Sequence, residues 1–330
     1  ARPPAIFVRH IPTWLGIVEL YNAMGEKEKA VAALQFVQTF AADNEKIAWT
    51  KAILAHGLDQ TDIMTGNLVW LAEKFPGKRR QVFTLADQQW PDPNALLERF
   101  APSLYPDILA YYIGINEADK AVTAWGRLED EGAGDQKIAL RYINYLLGLE
   151  KVREAAAIWQ KYYRQEGSLL YNRELREPFI GSGFGWRISR ADGVSWRQAG
   201  DGGGLRIQFD GSANVLFSLA QIVPLATGQY VFSGTIACQD LTTDQRPYWT
   251  ITGYKCDGLQ VKGEMIPPSG PPDTFSLRLA VPEGCDAVQI ALKRNKSHYF
   301  DNQICGSVTI SGLELVAGDQ FGSGIGSSGR

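Results

Sequence analysis

Tyr248, Thr250, Thr252 and Tyr254 occupy every second position of one segment, with Trp249 and Ile251 between them. Alternate residues of a strand point to opposite faces. If Trp249 and Ile251 face a core, the Tyr and Thr set faces away from it. Arg278, Gln289 and Lys293 share that outward parity on segments read as neighbouring strands. Tyrosine rings offer flat apolar faces to pyranose C–H groups, while amide and guanidinium groups supply paired donors for hydroxyls, so this set suits sugar binding. The competing reading is an ordinary solvated or interface-covered sheet face. Trp186 and Trp196 flank a loop and offer two more stacking surfaces, although Trp186 alternates with Ile188 as a core residue does. His298-Tyr299 reads as a loop tip.

Other chemistry is poorly supported by the spacing. Gly324-Ile325-Gly326-Ser327-Ser328-Gly329 fits a dinucleotide-binding glycine pattern, but no helix follows to present its dipole to a phosphate. Gly181-Ser182-Gly183-Phe184-Gly185 precedes a strand rather than a helix. No P-loop, nucleophile elbow or HExxH is present. Asp240, Asp244 and Glu264 would form a glycosidase pair only if folding brought two carboxylates within roughly 5–10 Å. Asp240 and Asp244 suit either a structural Ca2+ or turn capping. No other cofactor is expected. Asn295-Lys296-Ser297 fits the glycosylation sequon, a tripeptide common by chance.

The four cysteines, Cys238, Cys256, Cys285 and Cys305, all lie in the C-terminal half. They form no CxxC, and only His10, His56 and His298 could add imidazole, which argues against zinc. An even set in a strand-rich region reads as two disulfides and an oxidising compartment, the alternative being four reduced core thiols in a cytosolic protein. The net charge of −3 over 330 residues gives no basic field for nucleic acid. No apolar run reaches the ~18 residues of a membrane helix. A start at Ala1-Arg2-Pro3-Pro4, without Met or a signal-like apolar core, is what a processed or trimmed chain looks like.

The elements that position these residues fall into two kinds. Tyr111, Gly114, Ala121 and Trp125 recur 34 residues later as Tyr145, Gly148, Ala155 and Trp159. A 34-residue period with small residues at the helix crossing and an aromatic filling the groove resembles tetratricopeptide (TPR) repeats. The two clear repeats pair 105–115 with 117–131 and 135–149 with 151–164. Weaker pairs are read at 12–39 and at 45–57 with 61–74, while 78–102 is less regular. There Lys78-Arg79-Arg80 reads as a solvated helix start, and Asn94 as the cap of a helix over 95–100. Stacked hairpins of this kind form a solenoid whose concave surface holds a peptide or helix of a partner.

Near residue 167 the period changes to two. Strands are expected at 185–190, 204–209, 214–223, 229–238, 247–255, 259–265, 274–281, 286–293 and 306–316, with prolines between them, which argues for an antiparallel sandwich. The expected organisation is a helical repeat domain over 1–166, a β-sandwich over 167–317 and a Gly/Ser-rich tail over 318–330. The fold class is α + β in separate domains.

Phe184-Gly185-Trp186-Arg187-Ile188, Leu205-Arg206-Ile207-Gln208-Phe209, Gln221-Ile222-Val223-Pro224, Gly228-Gln229-Tyr230-Val231-Phe232, Leu241-Thr242-Thr243-Asp244-Gln245, Val281-Pro282-Glu283-Gly284-Cys285 and Gly312-Leu313-Glu314-Leu315 together carry a resemblance. The block, about 170–317, resembles the carbohydrate-binding-like jelly-roll module that follows TPR repeats in some bacterial envelope proteins accompanying exopolysaccharide assembly. The resemblance implies a jelly roll and supplies no catalytic residues. In a jelly roll Cys256 ends one strand and Cys285 begins another across a loop, so these two pair, leaving Cys238 with Cys305 as one of three connectivities.

The expected function is a non-catalytic extracytoplasmic adaptor: the TPR groove binds a protein partner, and the sandwich binds envelope or extracellular polysaccharide. The alternative is a structural subunit of an extracellular or envelope assembly, joining to another copy of itself through groove and tails. A polysaccharide-active enzyme ranks third.

Overall fold

The computed structural model describes residues 10–39, 44–163, 167–199, 203–296 and 302–318. The chain divides into two compact units, Ala1–Gly134 and Asp135–Arg330. The last helical pair thus shares a unit with the sheets, whereas the change of sequence period falls near residue 167. The 319–330 tail, the first nine residues and His298-Tyr299 lie outside the described residues.

The first unit holds three helical hairpins: α1 (Ile11–Ala23) with α2 (Lys27–Gln38), α3 (Glu45–Gly57) with α4 (Thr61–Lys74), and α7 (Tyr105–Gly114) with α8 (Ala118–Asp130). Between the last two lie α5 (Arg79–Gln89) and the short α6 (Pro93–Leu97). The cap of α6 is Asp92, whose side chain accepts from the Asn94 amide at 3.1 Å, not Asn94 itself. Pro93 takes the first helical position because its φ is preset and it has no N–H to satisfy, which moves the cap upstream. In the basic cluster, Lys78 and Arg79 pair with Glu45 and Asp107.

One turn recurs. Gly25, Asp59 and Asn116 follow their helices at φ 75°, 57° and 59°. In each case the next amide bonds a carbonyl five residues back: Glu26 to Tyr21, Gln60 to Ala55, and Glu117 to Tyr112. This left-handed cap satisfies carbonyls that a helix end leaves open. Gly25 and Asp59 lie 34 residues apart, so the first two hairpins share a period that their side chains hide. Asn tolerates this conformation and Ala does not. Asn116→Ala is expected to lower stability by about 1 kcal/mol, and Asn116→Gly to keep it. Urea midpoints that move equally for both variants would remove the strain argument.

The second unit begins with α9 (Gln136–Gly148) and α10 (Val152–Tyr163), whose turn repeats the cap at Glu150 with φ 63°. Ten strands then form two antiparallel five-stranded sheets. One runs β1 (Arg187–Ile188), β4 (Phe217–Pro224), β9 (Ala287–Arg294), β6 (Tyr248–Gly253), β7 (Gln260–Met265). The other runs β2 (Val194–Gln198), β3 (Leu205–Ala213), β10 (Gln303–Ala317), β5 (Gly228–Gln239), β8 (Gly270–Val281). Alternate residues of both sheets, among them Phe209, Phe217, Phe232, Trp249, Ile251, Leu279 and Ile290, fill the space between them. The architecture is the α + β arrangement expected, with a jelly-roll sandwich following the helices. β2, Val-Ser-Trp-Arg-Gln, escaped the sequence reading because it is short and buries no full apolar face, with Trp196 itself exposed; it is an edge strand held by its pairing with β3.

The cysteines divide. Cys256 and Cys285 form a disulfide with Cα atoms 5.4 Å apart. The second pairing is corrected: Cys238 and Cys305 are separate thiols, one buried and one exposed. β10 crosses β5 with Val308 opposite Cys238, so the Cys238 thiol joins the core while Cys305 points to solvent. A parity argument explains this, since the two thiols stand on opposite faces of the same sheet.

Candidate functional site

The strand register tests the proposed sugar face directly. Tyr248 stands opposite Lys293, Thr250 opposite Ala291 and Lys262, and Thr252 opposite Gln289 and Gln260. Those residues therefore share the outer face of one sheet, and Tyr254 continues it, its amide bonding Ala287 O at 2.9 Å. Arg278 does not belong there. It lies exposed on β8, an edge strand of the other sheet, as does Trp196 on β2. Parity assigns a residue to one of two faces but cannot say which sheet its strand joins. Trp196 stacks on Phe179 at 5.2 Å. Trp186 is buried in the core, as its alternation with Ile188 implied.

Tyr248 is not an open platform. Its ring is buried, Lys262 Nζ lies 4.6 Å above the ring centre, and its hydroxyl accepts from Asn295 Nδ2 at 2.8 Å. The middle of the face is closed too, since Ala220, Ile222, Thr250 and Ala291 are all buried. Part of the cover comes from within the unit, where α10 packs on β4. Arg153 of α10 pairs with Asp286 at 2.7 Å, and Glu150 in the helical turn pairs with Lys255 at 3.4 Å. Gly183 makes the approach possible. Its φ is 59°, its amide bonds Asn144 Oδ1 at 2.9 Å, and a Cβ there would lie 2.7 Å from Trp159 Cζ3. The Gly-rich run 181–185 is thus a docking turn for helices. Arg187 lies on the same sheet face, where burial lowers its pKa and Tyr254 raises it. It donates to Gly183 O at 2.5 Å.

Where the end of α10 meets β4, the surfaces leave an open cleft of about 870 Å3 lined by Trp159, Tyr163, Tyr171, Phe184, Gln221 and Lys161, with Ser168 at its side. Trp159 stacks on Tyr163 at 4.3 Å and meets Tyr171 edge-on at 5.1 Å. Gln221 is 1% exposed. Its Nε2 donates to Tyr171 O and Phe184 O, both at 3.0 Å, while its Oε1 has no partner among the described residues. Burial chiefly holds the Tyr171 hydroxyl pKa up to about 12, with Glu177 adding to it. Burial likewise raises Tyr163. Both phenols therefore remain donors at neutral pH. The sequence alone does not reveal this cleft, because its 34-residue spacing makes Trp159 a groove filler of the repeat. One signal was available: Gln221 interrupts the inward series Phe217, Leu219, Val223, and a polar residue at an inward position needs a reason.

Among the described residues, the Asp59 and Asp210 carboxyls are held below the usual carboxylate range, through hydrogen bonds involving Lys27 and Ser212. Neither is the raised acid that a glycosidase needs. Asp244 lies near Arg294 and accepts from Thr243, while Asp240 accepts from Ser269. Among the described residues, no group of three or more His, Cys, Asp or Glu could hold a metal. No described helix is long and apolar enough to cross a membrane.

No family model matches the chain, and no curated protein matches it. Among solved structures it is similar to TmCBM61, solved in complex with beta-1,4-galactotriose, at 15% identity over 40% of this chain and 88% of that one, with a TM-score of 0.30. It is similar to a CBM4 structure at 15% identity over 45% and 99%, TM-score 0.33. The bacteriophage CBA120 tailspike protein 4 enzymatically active domain is similar at 12% identity over 46% and 21%, TM-score 0.32. The class stated here, helical hairpins joined to an antiparallel β-sandwich, stands on the strand pairing described above.

Proposed function

We propose that this protein is a non-catalytic carbohydrate-binding adaptor that works outside the cytoplasm, with the second unit holding a saccharide and the TPR-like hairpins of the first holding a protein partner. The cleft between α10 and β4 carries the reading. It combines aromatic walls, with Trp159 and Phe184 buried and Tyr163 and Tyr171 half-buried, with the buried acceptor Gln221 Oε1 and the polar groups Lys161 and Ser168, which is the pairing of apolar faces and sparse polar groups that a sugar ring requires. Its volume lies within the range of small-ligand sites. The Cys256–Cys285 disulfide supports an oxidising location. The outer face around Tyr248, Gln289 and Lys293 contributes less, since its centre is covered.

A glycan array with the whole chain, followed by calorimetry on the best oligosaccharide, tests this. Tyr163→Ala is expected to weaken binding about tenfold, the loss of one aromatic contact, and the measurement is made at a temperature where the variant is fully folded, because Tyr163 also stacks on Trp159 and donates to Gln136 O. Glycan binding that survives Tyr163→Ala and a Gln221→Leu variant at full affinity would move the site elsewhere. Absence of any binding on a broad array would reject the carbohydrate reading.

A further inference from the structure

The two sheets part at one open side, where the edge strands β7 and β8 face each other across a second cleft of about 640 Å3. Its apolar lining includes Trp249, Phe275, Ile236 and Cys238, and its rim carries Lys262 and Glu264. The strands come together at Gly263, whose absent Cβ would lie 3.3 Å from Leu277 Cδ2. Past that point Pro267, Pro271 and Pro272 border the opening. Proline has no N–H to give to a ladder, so these residues cannot zip the edges shut. Inside, Trp249 and Phe275 stack at 5.4 Å. Trp249 is 3% exposed, and its indole N–H is buried with no acceptor among the described residues. A buried donor without a partner is costly, and a ligand that offers an acceptor recovers that cost.

We infer that this inter-sheet cleft is a second binding site, for a small apolar group that carries a single hydrogen-bond acceptor, such as an aryl or acyl ester. The aromatic and aliphatic lining takes the apolar body, and Trp249 Nε1–H donates to the carbonyl oxygen. Cys238 is a neutral thiol here, because burial raises its pKa. The inference does not depend on the saccharide cleft, which lies at α10 and β4.

Two probes of similar shape separate the contributions: methyl benzoate has the acceptor and ethylbenzene lacks it. In 15N-labelled whole protein, the Trp249 indole resonance, assigned by its loss in Trp249→Phe, is expected to shift saturably with methyl benzoate. Methyl benzoate should bind about fivefold more tightly than ethylbenzene, the value of one hydrogen bond. In Trp249→Phe that preference should fall to about one, and Tyr163→Ala should leave it intact. Methyl benzoate should also slow alkylation of Cys238 in a Cys305→Ser background. No saturable shift with methyl benzoate, or a preference that persists in Trp249→Phe, would overturn the assignment.

Discussion

Arg294→Met is expected to lower the stability of the sandwich unit by about 3–5 kcal/mol. Arg294 is fully buried at the end of β9. Its guanidinium donates to Gln245 O at 3.0 Å, to Asn302 O at 3.3 Å and to Val215 O. Three loops separated by tens of residues thus converge on one side chain. Burial lowers its pKa and Asp244 acts the other way, so the charge is held by the carbonyl oxygens and a nearby carboxylate. Met matches the length of the stem but withdraws the guanidinium from all three carbonyls: Val215 O loses a buried donor and Gln245 O a half-buried one, while Asn302 O keeps the Asn214 amide at 3.0 Å; a buried acceptor left without its donor is expensive. Arg294→Lys should recover only part of the stability, since one ammonium cannot reproduce a planar fork aimed at three acceptors. Urea unfolding followed by tryptophan fluorescence measures both. A loss below about 1 kcal/mol for Arg294→Met would mean that the loops are held by other contacts.

Loss of the disulfide is the second large effect. Cys256 and Cys285 are 29 residues apart in sequence. Closing a loop of that length removes unfolded-state entropy equivalent to roughly 3.5 kcal/mol. For a unit of this size that corresponds to a drop in Tm of roughly 10 °C. The bond also has a local role. Lys255 and Asp286 adjoin its two cysteines, and these are the residues that pair with Glu150 and Arg153 at the start of α10. The ion pairs themselves are exposed and weak; what matters is that one covalent link braces both loops under the helical hairpin. The double variant Cys256→Ser/Cys285→Ser, or reduction of the parent protein, should therefore also speed proteolysis between α9 and α10. Calorimetry with and without reductant decides it: a shift under about 3 °C would show that the sandwich holds these loops unaided.

The repeat, the change of period and the sandwich were legible along the chain because each depends on spacing: 34 residues for a hairpin, two for a strand. Trp249 and Ile251 facing inward, with Tyr248 and Thr250 turned the other way, followed from parity alone; that Lys293 shares the Tyr248 face came from the pairing of β6 with β9. Tertiary structure decided three things that spacing cannot carry. Arg278 left the proposed face because strand pairing, not parity, determines the sheet. Cys238 and Cys305 stayed apart because β10 and β5 present them to opposite sides. The aromatic cleft arose because Trp159, more than sixty residues before Gln221, is brought beside it when Gly183 lets α10 settle on β4. Local pattern specifies which way a side chain points; only the docking of one element on another determines what it points at.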